Sequence, residues 1–261
     1  MRFLILLLLL LPFNAMAQTN CTGQTPCVLG ERSYHVREPD GWDGVTPMPV
    51  MLHFHGWARQ GTLVVKHGRI ATATAPKGVL LLAPNGRRKT WDFWSSDSAD
   101  VPFARAVLED AAKRYPIDPE NIFISGYSFG SAMAWRFVCE DGADIKALLA
   151  VAGTLRQDEA CPTHPKQVRH VHGTKDNVMD FPFGPGGDTL YPVALWRGMM
   201  ECSASEGPTE WSARDFLTFE RTVWTGCASG QSIALDVHSG GHFIPHGWFA
   251  AQLDELLAAP S

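Results

Sequence analysis

The sequence contains no C-x-x-C pair, no long run of basic residues and, beyond its first 17 residues, no internal repeat or low-complexity tract. Scattered cysteines without close pairs argue against a structural zinc site. A formal charge of −5 without a basic cluster argues against nucleic acid or an anionic membrane surface as the main partner. Only 19% of the residues are charged and 45% are hydrophobic, too apolar a mixture for a disordered chain. Beyond the first 17 residues no stretch is apolar enough over the ~20 residues that a bilayer span needs. No linker divides the 261 residues, and single α/β domains of about 250 residues are common.

The first residues follow a different pattern. Met1-Arg2 is a short positive segment, Phe3 to Phe13 is an apolar run, and Ala15-Met16-Ala17 is a small-x-small cleavage site. This reads as a secretory signal peptide over residues 1–17, leaving a domain over 18–261 in a secreted or periplasmic protein. Export places six cysteines in an oxidising compartment, where they read as disulfides. Of the ~15 possible pairings, the set that closes short loops is Cys21–Cys27, Cys139–Cys161 and Cys202–Cys227. Each of the two longer loops would contribute ~3 kcal/mol in the chain-entropy model.

Short apolar runs mark buried strands at Val50 to His55, Val79 to Ala83, Ile122 to Ser125, Ala147 to Ala152 and Val168 to His172. Ser33 to Arg37 alternates as an early strand, and Ser232 to Val237 is the last one. Asp100 is placed to cap a helix running to Tyr115, with Phe103, Val107 and Ala111 on one face, stopped by Pro116 and Pro119. Further helices are expected from Ser131 to Cys139 and from Phe249 to Ala258. Alternation of strands and helices implies a mostly parallel sheet covered on both faces. Asp180 to Glu210, rich in Gly and Pro, is the least regular stretch.

Gly126-Tyr-Ser128-Phe-Gly130 is a G-x-S-x-G pentapeptide. Five letters alone are weak; their place between a strand and a helix is the stronger signal. A sharp strand-to-helix turn presents a serine hydroxyl in a strained conformation, and the glycines admit the close backbone approach. A serine hydroxyl needs a base held by an acid. In this arrangement the acid and then the histidine follow in the chain. Asp176, in the loop opened by His172-Gly173, and His242, in Gly240-Gly241-His242, fit that order. Asp180 and Asp158 are the alternatives for the acid, and His246 for the base. His172 is expected to orient its loop by a local hydrogen bond; His164, His170 and His238 are expected on the surface or a strand face, and His67 carries no signal. Two backbone N–H groups should form the oxyanion hole, one from Phe129 and one from Trp57, after His55-Gly56.

These motifs, with Asp118-Pro-Glu-Asn-Ile-Phe-Ile-Ser-Gly-Tyr-Ser128, Val151-Ala-Gly-Thr154 and Trp224-Thr-Gly-Cys227, resemble the secreted α/β-hydrolase esterases. Within them the chain looks like the polyhydroxybutyrate depolymerase and feruloyl/acetylxylan esterase group, over nearly all of residues 18–261. The resemblance implies Ser128 as nucleophile, Asp176 as acid and His242 as base, and the pairings Cys139–Cys161 and Cys202–Cys227. The chain departs from the group's pattern in two places. Phe54-His55-Gly56 stands for Leu-His-Gly, with an extra His53, and His242-Phe-Ile-Pro245 stands for His-Thr-Trp-Pro.

The expectation is a single-domain α/β-hydrolase fold and a monomeric serine esterase needing no cofactor or metal. Its substrates would be small esters or oligoesters, foremost hydroxyalkanoate oligomers, with feruloyl or acetyl esters of plant polysaccharide as the alternative. A serine peptidase or a non-catalytic binder on the same scaffold are the rivals. A peptidase commonly adds a domain or acidic clamp, and a binder does not need all three side chains. Trp57, Trp91, Trp94, Trp224 and Trp248 are placed in or beside loops near the site, with at least two of them expected in the core.

Overall fold

The computed structural model describes residues 21–156, 160–179, 191–214 and 217–258. The segment 1–17 therefore lies outside the described residues, as do Asp158 and Asp180. The strands are β1 (Cys27–Leu29), β2 (Arg32–Arg37), β3 (Met48–Phe54), β4 (Leu80–Pro84), β5 (Ile117–Tyr127), β6 (Ala147–Val151), β7 (Gln167–Gly173), β8 (Ala204–Arg214), β9 (Leu217–Thr225) and β10 (Ser232–His238). They form one ten-stranded sheet ordered β1-β2-β4-β3-β5-β6-β7-β10-β9-β8. The six central strands, β4 through β10 in that order, are parallel to one another. Antiparallel hairpins close both edges, β1–β2 beside β4 and β9–β8 beside β10.

The apolar runs became parallel strands because helices cover both faces. Val50, Leu52 and Phe54 of β3 point into one core with Ile124, Leu148 and Val168. That core is closed by α3 (Asp100–Arg114), α4 (Phe129–Asp141) and α5 (Val193–Met199). Met51, Phe123, Leu149 and Val171 point the other way, against α1 (Gly61–Val64), α2 (Ala71–Thr74) and α6 (Trp248–Ala258). This is the period-two alternation of a strand buried on both sides.

Several expectations need correction. Asp100 is the first residue of α3 rather than its cap, which is Ala99. Its carboxylate is used elsewhere, pairing with Arg32 at 2.6 Å and accepting the Asp92 amide at 2.7 Å. The helix ends at Arg114, before Pro116, and Pro119 lies inside β5. Trp224 belongs to β9 and Trp248 opens α6; both are buried, as is Trp91, in keeping with the expectation of at least two core tryptophans. His170 and His238 are strand residues as expected, but both are buried. The irregular stretch contains α5 and the start of the β8–β9 hairpin.

The six cysteines form three disulfides, Cys21–Cys27, Cys139–Cys161 and Cys202–Cys227. The second ties the end of α4 to the segment before β7, and the third joins the base of the β8–β9 hairpin. Among the described residues no helix is long and apolar enough to cross a membrane.

Candidate active site

The order of the parallel strands reverses between β3 and β5, since the chain runs outward from β3 to β4 and then returns to β5. Beyond the carboxyl ends of strands at such a point lies the usual ligand crevice of an open α/β sheet. The loops after β3, β5, β7 and β10 all open there, and they carry Trp57, Ser128, Asp176 and His242 respectively.

Ser128 occupies the one-residue turn between β5 and α4, with φ 58° and ψ −127°. A non-glycine residue at this φ is strained, and the turn is held by its surroundings. The Ser128 amide donates to Val151 at 3.0 Å and the Ser128 carbonyl accepts from Ala132 at 3.0 Å. The flanking glycines are required by close approach. A Cβ on Gly126 would stand 2.1 Å from the Gly130 carbonyl oxygen, and one on Gly130 would stand 2.0 Å from the Phe54 carbonyl oxygen. Ser128 is 6% exposed, more enclosed than a fully projecting serine, and it lines the wall of a cavity of about 260 Å³. Trp57, Phe129, Val178 and His242 line the same cavity. Phe129 is the first residue of α4, where amide N–H groups have no intrahelical acceptor.

Asp176 and His242 come together across 66 residues of chain, Asp176 Oδ2 accepting from His242 Nδ1 at 2.6 Å. Asp176 Oδ1 accepts the amides of Val178 and Met179, each at 2.9 Å. Burial pushes this carboxyl upward, but the hydrogen bonds from His242 and the two amides hold it below its ordinary value. The acid loop is set by β7, whose end packs under the histidine loop. A Cβ on Gly173 would meet the Gly240 carbonyl oxygen at 2.3 Å. His172 makes the local hydrogen bond expected of it, donating from Nε2 to the Met179 carbonyl at 2.7 Å. His246 is not among the residues lining the Ser128 cavity.

The loop after β3 is also pinned. His55 Nδ1 donates to the Gly56 carbonyl at 2.8 Å, and its Nε2 accepts the Gly86 amide at 3.0 Å. Trp91 Nε1 donates to the His55 carbonyl at 2.7 Å. Burial pushes His55 down to about 4, so it stays neutral in this role.

Tyr127 was missed by sequence reasoning. Its hydroxyl donates to the His242 carbonyl at 3.0 Å, and its ring lies 4.9 Å from the His242 ring. Burial pushes its hydroxyl up to about 12, leaving a neutral donor. The aromatic residue before the serine was the only available signal. Two of the five tryptophans, Trp57 and Trp94, are exposed, at 66% and 56%. Trp94 packs on Phe93 with ring centroids 4.2 Å apart, and Phe93 meets Phe129 at 5.0 Å.

No family model matches the chain. Among solved structures it is similar to the acetyl xylan esterase from Aspergillus awamori, with a TM-score of 0.65 and 14% identity over 88% of this chain and 95% of that one. The fold is that of the α/β-hydrolases. Curated relatives of the chain include feruloyl esterase C of Emericella nidulans, 25% identical over 81% of this chain and 76% of that protein. Feruloyl esterase D of Neurospora crassa is 23% identical over 92% of this chain and 88% of that protein. The resemblance to the feruloyl and acetylxylan esterase group thus extends along most of the chain.

Proposed function

We propose that this α/β-hydrolase is an exported serine carboxylic-ester hydrolase acting on feruloyl or acetyl esters of plant polysaccharide. The observation that carries the reading is the meeting of Ser128, on its positive-φ turn, with the Asp176–His242 pair at one cavity. Ser128 Oγ attacks the ester carbonyl and its proton passes to His242 Nε2. Asp176 accepts the Nδ1–H, fixes the tautomer and stabilises the imidazolium. The Phe129 and Trp57 amides donate to the oxyanion. His242 returns the proton to the leaving alcohol, and a water activated by His242 then releases the acid from the acyl-enzyme. Residues 1–17 serve as the export signal.

The names of the relatives favour feruloyl and acetylxylan esters over the hydroxyalkanoate oligomers preferred on the sequence alone. The exposed apolar groups Trp57 and Val178 line the Ser128 cavity, and exposed Trp94 lies with its ring 6.4 Å from that of Phe129; they offer surface to an aromatic acid or a sugar face. The test is a panel of methyl ferulate, acetylated xylan, p-nitrophenyl acetate, hydroxybutyrate trimer and a peptide anilide, with fluorophosphonate labelling mapped by mass spectrometry. Turnover of ferulate or acetylxylan with label on Ser128 is expected. Label elsewhere removes the serine assignment, and turnover confined to the trimer or the anilide removes the substrate assignment.

A further inference from the structure

Beside the Ser128 cavity lies a larger one of about 620 Å³. The two share Gly56, Arg59 and Tyr127, so they are compartments of one cleft. The larger compartment has apolar walls that include Leu63, Phe243 and Ile244, and a basic rim of Arg59, Lys66 and Arg69. None of its lining residues is acidic. That local sign opposes the composition, since the chain has 27 acidic against 22 basic residues. Among the described residues Arg59 and Lys66 make no ion pair. Arg69 is anchored by an uncharged acceptor, the Ile244 carbonyl at 2.5 Å. Burial and the neighbouring Arg69 hold His67 toward its neutral form, so the rim charge resides in the two arginines and the lysine.

A second observation points to the same compartment. Three residues at the departures from the group's sequence pattern, His53, Phe243 and Ile244, line it, whereas Phe54 points into the core on the other face of the sheet. His53 is buried and its Nδ1 is bonded to Ser125 Oγ at 2.9 Å, so it is part of the frame.

We propose that this compartment is a subsite for a carboxylate carried by the substrate a few atoms from the scissile ester. Leu63, Phe243 and Ile244 take the sugar or alkyl body, and Arg59 and Lys66 take the carboxylate. A guanidinium presents a planar fork that fits a carboxylate, and a lysine adds a mobile point charge. Arg59 lines both compartments, so it is the group best placed to align an anionic substituent with the ester at Ser128. Such a carboxylate occurs on a uronic acid of an acidic plant polysaccharide and at the free end of a hydroxyalkanoate oligomer. The inference rests on the esterase reading only for the word substrate; its test is a binding measurement.

Ser128→Ala protein, which holds ester ligands without turning them over, is titrated with two matched pairs by calorimetry. One pair is an acetylated xylo-oligosaccharide bearing glucuronic acid and the same compound after carboxyl reduction. The other is hydroxybutyrate trimer as free acid and as methyl ester. In at least one pair the acid is expected to bind about fivefold tighter than its neutral partner, the scale of a few partly exposed ion pairs. The preference should shrink in ~1 M salt, where the screening length falls to ~3 Å. It should vanish when Arg59→Gln and Lys66→Gln are added; both residues are exposed, and circular dichroism checks the fold. Which pair shows the preference identifies the source of the carboxylate. Equal binding within both pairs, no binding of any ligand, or a preference that survives the double substitution overturns the proposal. Hydrolysis of methyl ferulate by the parent chain tests the esterase reading separately, so the two can fail independently.

Discussion

His172 and Asp176 meet side chain to side chain at the end of β7, with His172 Nε2 3.4 Å from Asp176 Oδ2. That oxygen is the one His242 Nδ1 reaches at 2.6 Å. His172 Nε2 also donates to the Met179 carbonyl, so it carries the proton. Its Nδ1 then holds the lone pair and accepts from His170 Nε2 at 3.2 Å. Burial holds both rings neutral. Hydrogen bonds therefore run from His170 through His172 to the Met179 carbonyl, and the His172 ring packs against the carboxylate that orients His242. Under the proposed mechanism His172→Phe should lower kcat by ~10²-fold with little change in KM, the cost of misplacing a catalytic group by about 1 Å. Steady-state kinetics on methyl ferulate reads this, and an unchanged kcat removes His172 from the positioning of the acid.

Asp176→Asn is expected to keep the fold, because Asn Oδ1 can still accept the Val178 and Met179 amides. Its Nδ2 would face His242 Nδ1 and favour the wrong imidazole tautomer. A loss of ~10³–10⁴-fold in kcat follows. Near-parent activity would move the acid to another carboxylate, with Asp180→Asn as the comparison to run beside it.

Ser128→Ala should lower kcat by at least ~10⁴-fold while leaving the melting temperature within a few degrees. The Ser128 hydroxyl lines a cavity, and the turn is held by backbone hydrogen bonds that alanine retains. Ester hydrolysis within about tenfold of the parent would exclude Ser128 as nucleophile.

The parallel centre of the sheet was legible because its strands are buried on both faces, which compresses them into short apolar runs such as Leu80 to Ala83 and Leu148 to Val151. The β8–β9 hairpin was not. β8 contains Glu206, Gly207, Pro208 and Glu210 and lies mostly exposed at the sheet edge, so no apolar face announces it. β9 does alternate through Phe219, but with only one further buried residue, Trp224, the signal is faint. At the site, Ser128, Asp176 and His242 were readable because strand-end loops and chain order select them. Tyr127 meets its partner across 115 residues, and the basic compartment is assembled from loops after different strands. For Tyr127 the only local sign is an aromatic residue before the serine, and the compartment leaves none.

Cys139–Cys161 and Cys202–Cys227 close loops of 22 and 25 residues. Each restricts the unfolded chain by an amount corresponding to ~3 kcal/mol. Reduction should therefore lower the melting temperature by several degrees. Peptide mapping without reductant should recover both pairs from the folded protein. Free thiols at these four positions would contradict the linkage.

Stability should fall on acidification well before the carboxylates titrate. His53, His55 and His238 are buried, and desolvation pushes their pKa values down, His53 to about 3 and the other two to about 4. His170 is driven the same way. In the unfolded chain each imidazole titrates near ~6.5. Between that value and the native one, the unfolded state binds a proton that the native state refuses. Stability therefore rises with pH in this window, by ~1.4 kcal/mol per pH unit for each histidine. The loss begins as the pH drops through ~6.5 and levels off for each group below its native pKa. Asp176 acts in the same sense lower down, its contribution present above ~3.9 and lost as the pH falls through its depressed native value. Calorimetry in half-unit steps should show a melting temperature that is level near neutrality and drops steeply from pH ~6 to ~4. His238→Asn should flatten that drop by one proton's worth of slope, since an Asn oxygen can still accept the Gly240 amide that His238 Nδ1 takes at 3.1 Å. A melting temperature constant across the window would mean that the four rings are already charged in the folded protein, and the variant's unchanged slope would single out His238.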